Sequence, residues 1–215
     1  MLLVAHRTPA TREACERVAA AGAQVFEADV QVDEHGQIVV SHYLPIGRVL
    51  HRDNWRFRWH TGAVRDPLLT DVIARVPERC LILLDLKERI PARCARLTSA
   101  LIESFPDRSR FRVCGHLDDD LDTVRRAGFR TWRTARDPRE LAALMADGRL
   151  PDDAVSIRHR LLTPGVLDRL HDQVPSVIAW TVNDVPRARQ LRAMGVEGVT
   201  TDRLAVLGEL SGTLN

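Results

Sequence analysis

The chain has 215 residues and a mass of 24.2 kDa, with 45% hydrophobic residues, 28% charged residues and a formal net charge of +2 at pH 7. This length suits one domain with a sizeable core, and the near-neutral charge gives no reason to expect nucleic-acid binding. No apolar run approaches membrane-spanning length, and the first, residues 1–5, is too short for a signal peptide, so we expect a cytoplasmic protein without membrane insertion.

The cysteines and the single lysine add two simple expectations. Cys15, Cys80, Cys94 and Cys114 have no metal-ligand spacing, so they are interpreted as small buried hydrophobic residues in a reducing compartment. Lys87 is the only lysine in the chain, which makes its position worth following.

Short apolar runs alternate with longer amphipathic runs along the whole chain. The apolar runs predict strands at residues 2–5, 24–30, 37–41, 81–86, 111–115, 130–134, 154–158, 176–182 and 198–201. The amphipathic runs predict helices at residues 11–22, 68–76, 92–105, 118–128, 137–148, 163–174, 184–195 and 203–212. Many of these helices begin at Thr or Asp and several end at Gly, as helix caps do.

The order of these elements predicts the fold class. If 37–41 is an arm joined to 24–30 by a turn, eight strand–helix units remain, without a glycine-rich phosphate loop after the first strand. This pattern favours an α/β fold, a small (β/α)₈ TIM barrel that forms a single domain over residues 1–215. A doubly wound open sheet is the alternative.

Residues 43–67 form the longest connection and are rich in arginine and tryptophan. They match neither a strand nor a clean helix, so we predict an irregular segment over the C-terminal face of the barrel. Loops of this length in compact domains are often functional, although a packed surface excursion explains the segment equally well.

Polar residues follow the apolar runs at the strand ends, where TIM barrels place their chemistry. They are His6 and Arg7 after the first strand, Glu27 and Asp29 at the end of the second, His42 after the arm, Asp85 and Lys87 at the third, and residues 181–184 after the seventh. This coincidence on one rim predicts an active site there. His116 and His159 also follow strand ends and are weaker candidates.

Glu27, Asp29 and Asp85 would converge from adjacent strands, where like charges repel unless a cation lies between them. Three carboxylates without sulfur or paired imidazoles suit one hard divalent cation, Mg²⁺ or Ca²⁺. An ion-pair network with Arg7 and Lys87 would relieve the same repulsion without a metal, so both interpretations stay open.

The remaining rim residues have recognisable chemical uses. His6 and His42 are imidazoles beside three carboxylates, which favours proton transfer near neutral pH. Lys87 suits phosphate oxygens as a point charge, with a structural ion pair as the alternative. Trp180 is interpreted as part core and part pocket wall.

Together these motifs resemble the glycerophosphodiester phosphodiesterase family of (β/α)₈ barrels. The matching residues are His6-Arg7, Glu27-Ala-Asp29, Val39-Val-Ser-His42, Leu84-Asp-Leu-Lys87, Trp180-Thr-Val-Asn183-Asp184, and Gly195 through to Asp202-Arg203. They cover the first third and the C-terminal end in order, whereas residues 105–150 match only in their strand–helix rhythm.

The resemblance implies a hydrolase of lipid metabolism that cleaves a small glycerophosphodiester to glycerol 3-phosphate and an alcohol. It implies His6 and His42 as general acid and base, and a metal held by Glu27, Asp29 and Asp85. It also implies that Arg7 and Lys87 bind the phosphate and that Trp180 walls the glycerol side.

The chain departs from the family pattern at three places. The first loop lacks the Pro-Glu-Asn-Thr element, Tyr43 stands after His42 where the family usually has Asp, and Asp85 stands where Glu is common. These departures bear on the leaving group more than on the phosphodiesterase chemistry. Alternatives are therefore a lysophospholipase D-type enzyme and a catalytically weak barrel that binds phosphodiesters.

Overall fold

The computed structural model describes residues 1–42, 44–46, 50–53, 56–59, 66–88, 90–116 and 118–212. Its strands are β1 (Leu2–Ala5), β2 (Val25–Val32), β3 (Ile38–Val40), β4 (Leu44–Ile46), β5 (Leu50–Asp53), β6 (Arg56–Trp59), β7 (Leu81–Leu86), β8 (Phe111–Gly115), β9 (Arg130–Ala135), β10 (Ala154–Arg158), β11 (Val177–Trp180) and β12 (Gly198–Thr201). Its helices are α1 (Arg12–Ala20), α2 (Leu69–Ile73), α3 (Pro91–Ser104), α4 (Asp118–Arg126), α5 (Pro138–Ala146), α6 (Pro164–His171), α7 (Val185–Ala193) and α8 (Leu204–Ser211), with a 3₁₀ turn at His159–Leu161.

Eight parallel strands close into a barrel, which confirms the predicted fold. The order around the ring is β1, β2, β7, β8, β9, β10, β11 and β12, and β1 pairs with both β2 and β12. The arm β3 runs antiparallel to β2 outside this ring. Each barrel strand is followed by one helix, so the chain has the eight predicted strand–helix units.

The helices begin where the sequence provides a cap. The Thr11 and Thr163 hydroxyls accept hydrogen bonds from the backbone N–H groups of Ala14 and Val166, and the Asp137 and Asp184 carboxylates cap α5 and α7 in the same way. These bonds satisfy N–H groups that the first turn of a helix leaves without a partner. Among the described residues, no helix combines the length and apolar composition needed to cross a membrane.

Strand β2 runs past its predicted end. It extends to Val32 because Val30, Gln31 and Val32 pair with the arm. Glu27 and Asp29 therefore lie inside the strand and not at its end. They still reach the rim, because Ala5, the last residue of β1, pairs with Phe26 and leaves the rest of β2 beyond the end of its neighbour.

The segment predicted to be irregular contains regular structure, which corrects that part of the prediction. Strands β4, β5 and β6 form a separate three-stranded antiparallel sheet within residues 43–67. The run Arg-Phe-Arg-Trp at 56–59 alternates charged and aromatic residues with the period of a strand, and this is the signal that favours pairing. Tyr43 lies outside the described residues, and the placement of the segment over the barrel face stays a prediction.

Candidate active site

The barrel interior changes from apolar to polar over a single step of two residues. A small core cluster fills the interior with Val4, Val25, Leu83, Cys114, Trp132, Ala154 and Ile178. Since alternate residues of a strand face the same side, the positions two residues further on continue this interior toward the C-terminal ends. Those positions are His6, Glu27, Asp85, His116, Thr134, Ser156 and Trp180. Every one of them carries a polar or ionisable group, so the mouth of the barrel is a polar site on an apolar floor.

The three predicted metal ligands come together in this mouth. One carboxylate oxygen each from Glu27, Asp29 and Asp85 lies within 4.8 Å of the others. Asp29 and Asp85 are register partners on β2 and β7. Glu27 and Asp29 are only 6% and 4% exposed, so their charges lie largely out of water.

Two basic residues already contact these acids. Lys87 Nζ donates a hydrogen bond to Asp85 Oδ2 and lies 2.9 Å from Asp29 Oδ1. Arg7 Nε lies 3.9 Å from Asp29 Oδ2, and the Arg7 backbone N–H donates to Glu27 Oε2 at 3.2 Å. The ion-pair network considered from the sequence is therefore present, and it surrounds the same three acids that could hold a cation.

Arg7 adopts an unusual backbone conformation at this site. Its φ of +62° is in the left-handed region, and it is the one non-glycine with a positive φ in the described part of the chain. A side chain makes this conformation unfavourable, and such strain is found at functional sites. Here it accompanies the hydrogen bond from the Arg7 N–H to the Glu27 carboxylate.

The electrostatics of the cluster indicate too little positive charge for three acids. Burial, together with the Asp29 and Asp85 carboxylates, raises the pKa of Glu27 well above its ordinary value. Burial would also raise the pKa of Asp29, but the charges of Lys87 and His42 outweigh it, and the net shift is downward. The same carboxylates overcome burial and raise the pKa of Lys87.

These features fit a hard divalent cation. All three donors are carboxylate oxygens, which Mg²⁺ and Ca²⁺ prefer. Asp29 Oδ1 is buried, and the Lys87 ammonium 2.9 Å away is the cation beside it. A cation among the three oxygens would offset the burial and the like charges of Asp29 and Asp85 that raise the pKa of Glu27.

His6 is held from both sides of its ring. Its Nε2 lies 3.5 Å from Glu27 Oε2, and its Nδ1 lies 2.6 Å from Asp202 Oδ1. Asn183 Nδ2 donates to Asp202 Oδ2 at 2.7 Å, while Asn183 Oδ1 accepts from the Asp202 backbone N–H at 2.9 Å. Burial opposes ionisation of Asp202, but the hydrogen bonds from Asn183 and His6 outweigh it and lower its pKa.

Asp202 and Asn183 were not among the predicted site residues. Both belong to motifs that carry the family resemblance, Trp180-Thr-Val-Asn183 and Thr201-Asp202, which is the signal that could have found them. Their side chains meet only because β11 and β12 are neighbours in the ring.

His42 and Trp180 complete the predicted set. The backbone N–H of Ser41 donates to the Asp29 carbonyl at 2.8 Å, which anchors the arm beside Asp29 immediately before His42. The charge of His42 contributes to the low pKa of Asp29, so the two side chains are near each other. Trp180 ends β11 and is partly exposed, and its indole N–H is buried without a hydrogen-bond partner in the described structure.

Comparisons with known proteins find a similar family and similar folds. The model of the glycerophosphoryl diester phosphodiesterase family matches residues 108–206. A phosphodiesterase from Oleispira antarctica, solved in complex with the product sn-glycerol-3-phosphate, is 15% identical with a TM-score of 0.73, covering 98% of this chain and 96% of that one. A glycerophosphodiester phosphodiesterase from Thermotoga maritima is 19% identical with a TM-score of 0.71, covering 100% of this chain and 98% of that one.

No curated protein matches the chain. At these identities the solved structures bear on the fold alone, and they agree with the closed barrel. The family-model match over residues 108–206 confirms the resemblance that the motifs indicated, and the matched family is one of phosphodiesterases.

Proposed function

We propose that this chain, whose residues 108–206 match the glycerophosphoryl diester phosphodiesterase family, hydrolyses glycerophosphodiesters to glycerol 3-phosphate and an alcohol with the help of a divalent cation. The observation that carries the proposal is the convergence of Glu27, Asp29 and Asp85 within 4.8 Å, beside His6 and Lys87 at the barrel mouth. The glycerol-3-phosphate complex of the Oleispira antarctica phosphodiesterase supports this choice of product.

Glu27, Asp29 and Asp85 would hold the cation, Mg²⁺ or Ca²⁺. When bound, such an ion draws negative charge from phosphoryl oxygens and so stabilises the transition state of their cleavage. The all-oxygen donor set and the raised pKa of Glu27 support this assignment.

His6 is proposed as the general base. Asp202 Oδ1 accepts the hydrogen bond from His6 Nδ1, which keeps the proton of the neutral imidazole on that nitrogen. The Nε2 atom, 3.5 Å from Glu27 Oε2, then carries the lone pair that takes the proton of the nucleophile, a water molecule or a neighbouring hydroxyl group of the substrate, as the oxygen of that nucleophile bonds to phosphorus and the leaving alcohol departs. Asp202 and Asn183 touch no reacting atom in this scheme and act as positioning residues.

His42 is proposed as the general acid that protonates the leaving alcohol. Two observations support this role: His42 follows the arm that Ser41 ties to Asp29, and its charge helps to lower the pKa of Asp29. Two imidazoles on separate elements allow one to accept a proton while the other donates.

Lys87 and Arg7 are proposed to bind the phosphate. Both already lie among the carboxylates, and their positive charges would stabilise the negative charge that develops on the phosphoryl oxygens in the transition state. Trp180 is proposed as the wall for the glycerol group, since part of its side chain is exposed at the mouth.

One assay series tests this function. Glycerophosphocholine, glycerophosphoethanolamine and a lysophospholipid would be incubated with the protein in Mg²⁺, Ca²⁺ or EDTA, with release of alcohol and glycerol 3-phosphate measured. We expect ion-dependent hydrolysis that is lost in His6→Ala and His42→Ala. Tight binding without turnover under every ion would favour the phosphodiester-binding barrel, and hydrolysis of the lysophospholipid alone would favour the lysophospholipase D-type enzyme.

We also propose that the protein is located in the cytoplasm. All four cysteines are free and buried, as expected for a protein of a reducing compartment.

A further inference from the structure

His116 is an ionisable group at the barrel mouth that the proposed mechanism does not use. It follows β8 and stands two residues beyond Cys114, which belongs to the interior cluster. Cys114 is also the register partner of Asp85. His116 therefore lies on the strand next to the acid cluster, on the opposite side from His6.

A carboxylate from the neighbouring unit faces the ring of His116. His116 Nδ1 lies 3.4 Å from Glu140 Oε2, and Glu140 is itself held by the Arg136 backbone N–H at 2.8 Å and the Arg136 guanidinium at 2.8 Å. A carboxylate on this side favours the tautomer with the proton on Nδ1, which leaves Nε2 as a hydrogen-bond acceptor. The side chain is 29% exposed although Nδ1 itself is buried, without a hydrogen bond among the described residues, so the exposed edge of the ring is the one away from Glu140.

Thr134 provides a second polar group beside His116. Gly115 and Arg133 are register partners, so the next residues along the two strands, His116 and Thr134, are neighbours at the mouth. The Thr134 hydroxyl oxygen is buried and has no hydrogen-bond partner within the described part of the chain. Buried hydroxyl groups in folded proteins normally have such a partner, so this one suits a group brought by a ligand.

The place of these residues in the ring indicates which half of the substrate they meet. The acid cluster lies on β2 and β7, with β1, β12 and β11 on one side and β8 and β9 on the other. The proposed glycerol wall, Trp180, belongs to the first side. A phosphate bound at the acids would therefore direct its alcohol toward β8 and β9.

We propose that His116 and Thr134 form a subsite for the alcohol half of the substrate, which selects alcohols that carry a second hydrogen-bond donor. The inference rests on the proposed function and deepens it. Ethanolamine fits, because its ammonium group can donate to His116 Nε2 and to the Thr134 hydroxyl oxygen. Choline does not, because its quaternary ammonium has no N–H group.

The test compares kcat/KM for glycerophosphoethanolamine and glycerophosphocholine, which differ only in three methyl groups on the nitrogen. We expect a preference for the ethanolamine ester of roughly 3- to 10-fold, the usual net effect of one hydrogen bond. His116→Ala and, separately, the isosteric Thr134→Val should reduce that preference while changing kcat/KM for the choline ester little.

The matched control is His171→Ala. His171 forms the same kind of pair, with Nε2 3.0 Å from Glu197 Oε1, but it lies at the end of α6, away from the mouth. This variant should keep the substrate preference.

Three results would overturn the inference alone, with the unmodified protein active: no preference for the ethanolamine ester, an unchanged preference in both variants, or an equal loss of activity on both esters. Inactivity of the unmodified protein on both esters with every ion would overturn the proposed function and this inference with it.

Discussion

His6 Nδ1 and Asp202 Oδ1 lie 2.6 Å apart, although 196 positions separate the two residues in the chain. His6 follows the first barrel strand and Asp202 follows the last, so their contact spans the seam where β1 and β12 close the ring. The orientation of the proposed general base therefore depends on closure of the barrel.

Replacing Asp202 tests this orientation. Asp202→Asn replaces the negative carboxylate with a neutral amide, which no longer favours a proton on His6 Nδ1. We therefore expect kcat to fall about 10- to 100-fold, which is part of the total effect of acid–base catalysis. KM should change much less, because Asp202 touches no part of the substrate in the proposed scheme. Steady-state kinetics on glycerophosphoethanolamine measure both constants.

Thr163→Ala is the control for this prediction. Thr163 caps α6 by accepting from the Val166 backbone N–H at 3.3 Å, so its loss should cost about 1 kcal/mol of stability and leave kcat unchanged. Equal kcat values for Asp202→Asn and the unmodified protein would contradict the positioning role.

Burial and like-charge repulsion at Glu27 predict that a substitution in the acid cluster stabilises the metal-free protein. In the metal-free protein the raised pKa of Glu27 means that the folded state keeps a proton that the unfolded chain has lost. This group therefore makes stability fall as pH rises above the ordinary glutamate value of 4.5, by on the order of 1 kcal/mol per pH unit until the folded-state pKa is reached. Glu27→Gln removes this penalty, so at neutral pH in EDTA it should be more stable than the unmodified protein.

The same variant should respond less to metal. Mg²⁺ or Ca²⁺ should raise the Tm of the unmodified protein, because a ligand that binds only the folded state stabilises that state. The same ions should raise the Tm of Glu27→Gln much less. Denaturation in urea and thermal scans, each with EDTA and with added ion, provide the measurements. A metal-free Glu27→Gln protein that is less stable than the original would argue against uncompensated charge in the cluster.

Lys87 should contribute mainly to phosphate binding. Lys87→Met removes the cation that contacts both Asp29 and Asp85, and kcat/KM should fall roughly 10- to 100-fold, as expected for a hydrogen bond to a charged group. Lys87→Arg keeps the charge and should retain part of this activity. Kinetics with saturating Mg²⁺ measure the effect, and an unchanged KM in Lys87→Met would speak against a phosphate contact.

A second buried ion cluster should affect stability without affecting activity. The Asp152 side chain is fully buried, accepts from the Thr131 hydroxyl at 2.5 Å and lies 3.2 Å from Arg133 Nε. Asp152→Ala leaves the buried Arg133 charge with less compensation, and we expect a loss of about 3–5 kcal/mol in urea denaturation.

The neighbouring residue is the control for this loss. Asp153 is exposed and 3.9 Å from Arg130 Nε, so Asp153→Ala should change stability by about 0–1 kcal/mol. A drop in kcat/KM in folded Asp152→Ala would show that this cluster also shapes the site.

Local pattern was sufficient for most of the barrel. The strands at 2–5, 81–86, 111–115, 154–158 and 198–201 agree with their predicted bounds residue by residue. Each is a short apolar run bounded by turn or cap residues, a signal contained in the run itself. The predicted end of β2 was wrong because its last residues are ordered by pairing with the arm, which is a tertiary contact.

The sequence by itself determined the eight strand–helix units and the positions where apolar strands give way to polar side chains. Only the tertiary structure decided how those side chains meet: Lys87 between Asp29 and Asp85, Asp202 on His6, and Glu140 behind His116. The physical reason is that these contacts depend on the register between strands and on closure of the ring. Register and closure arise from packing of the whole barrel, and the periodicity of a single segment carries no information about them.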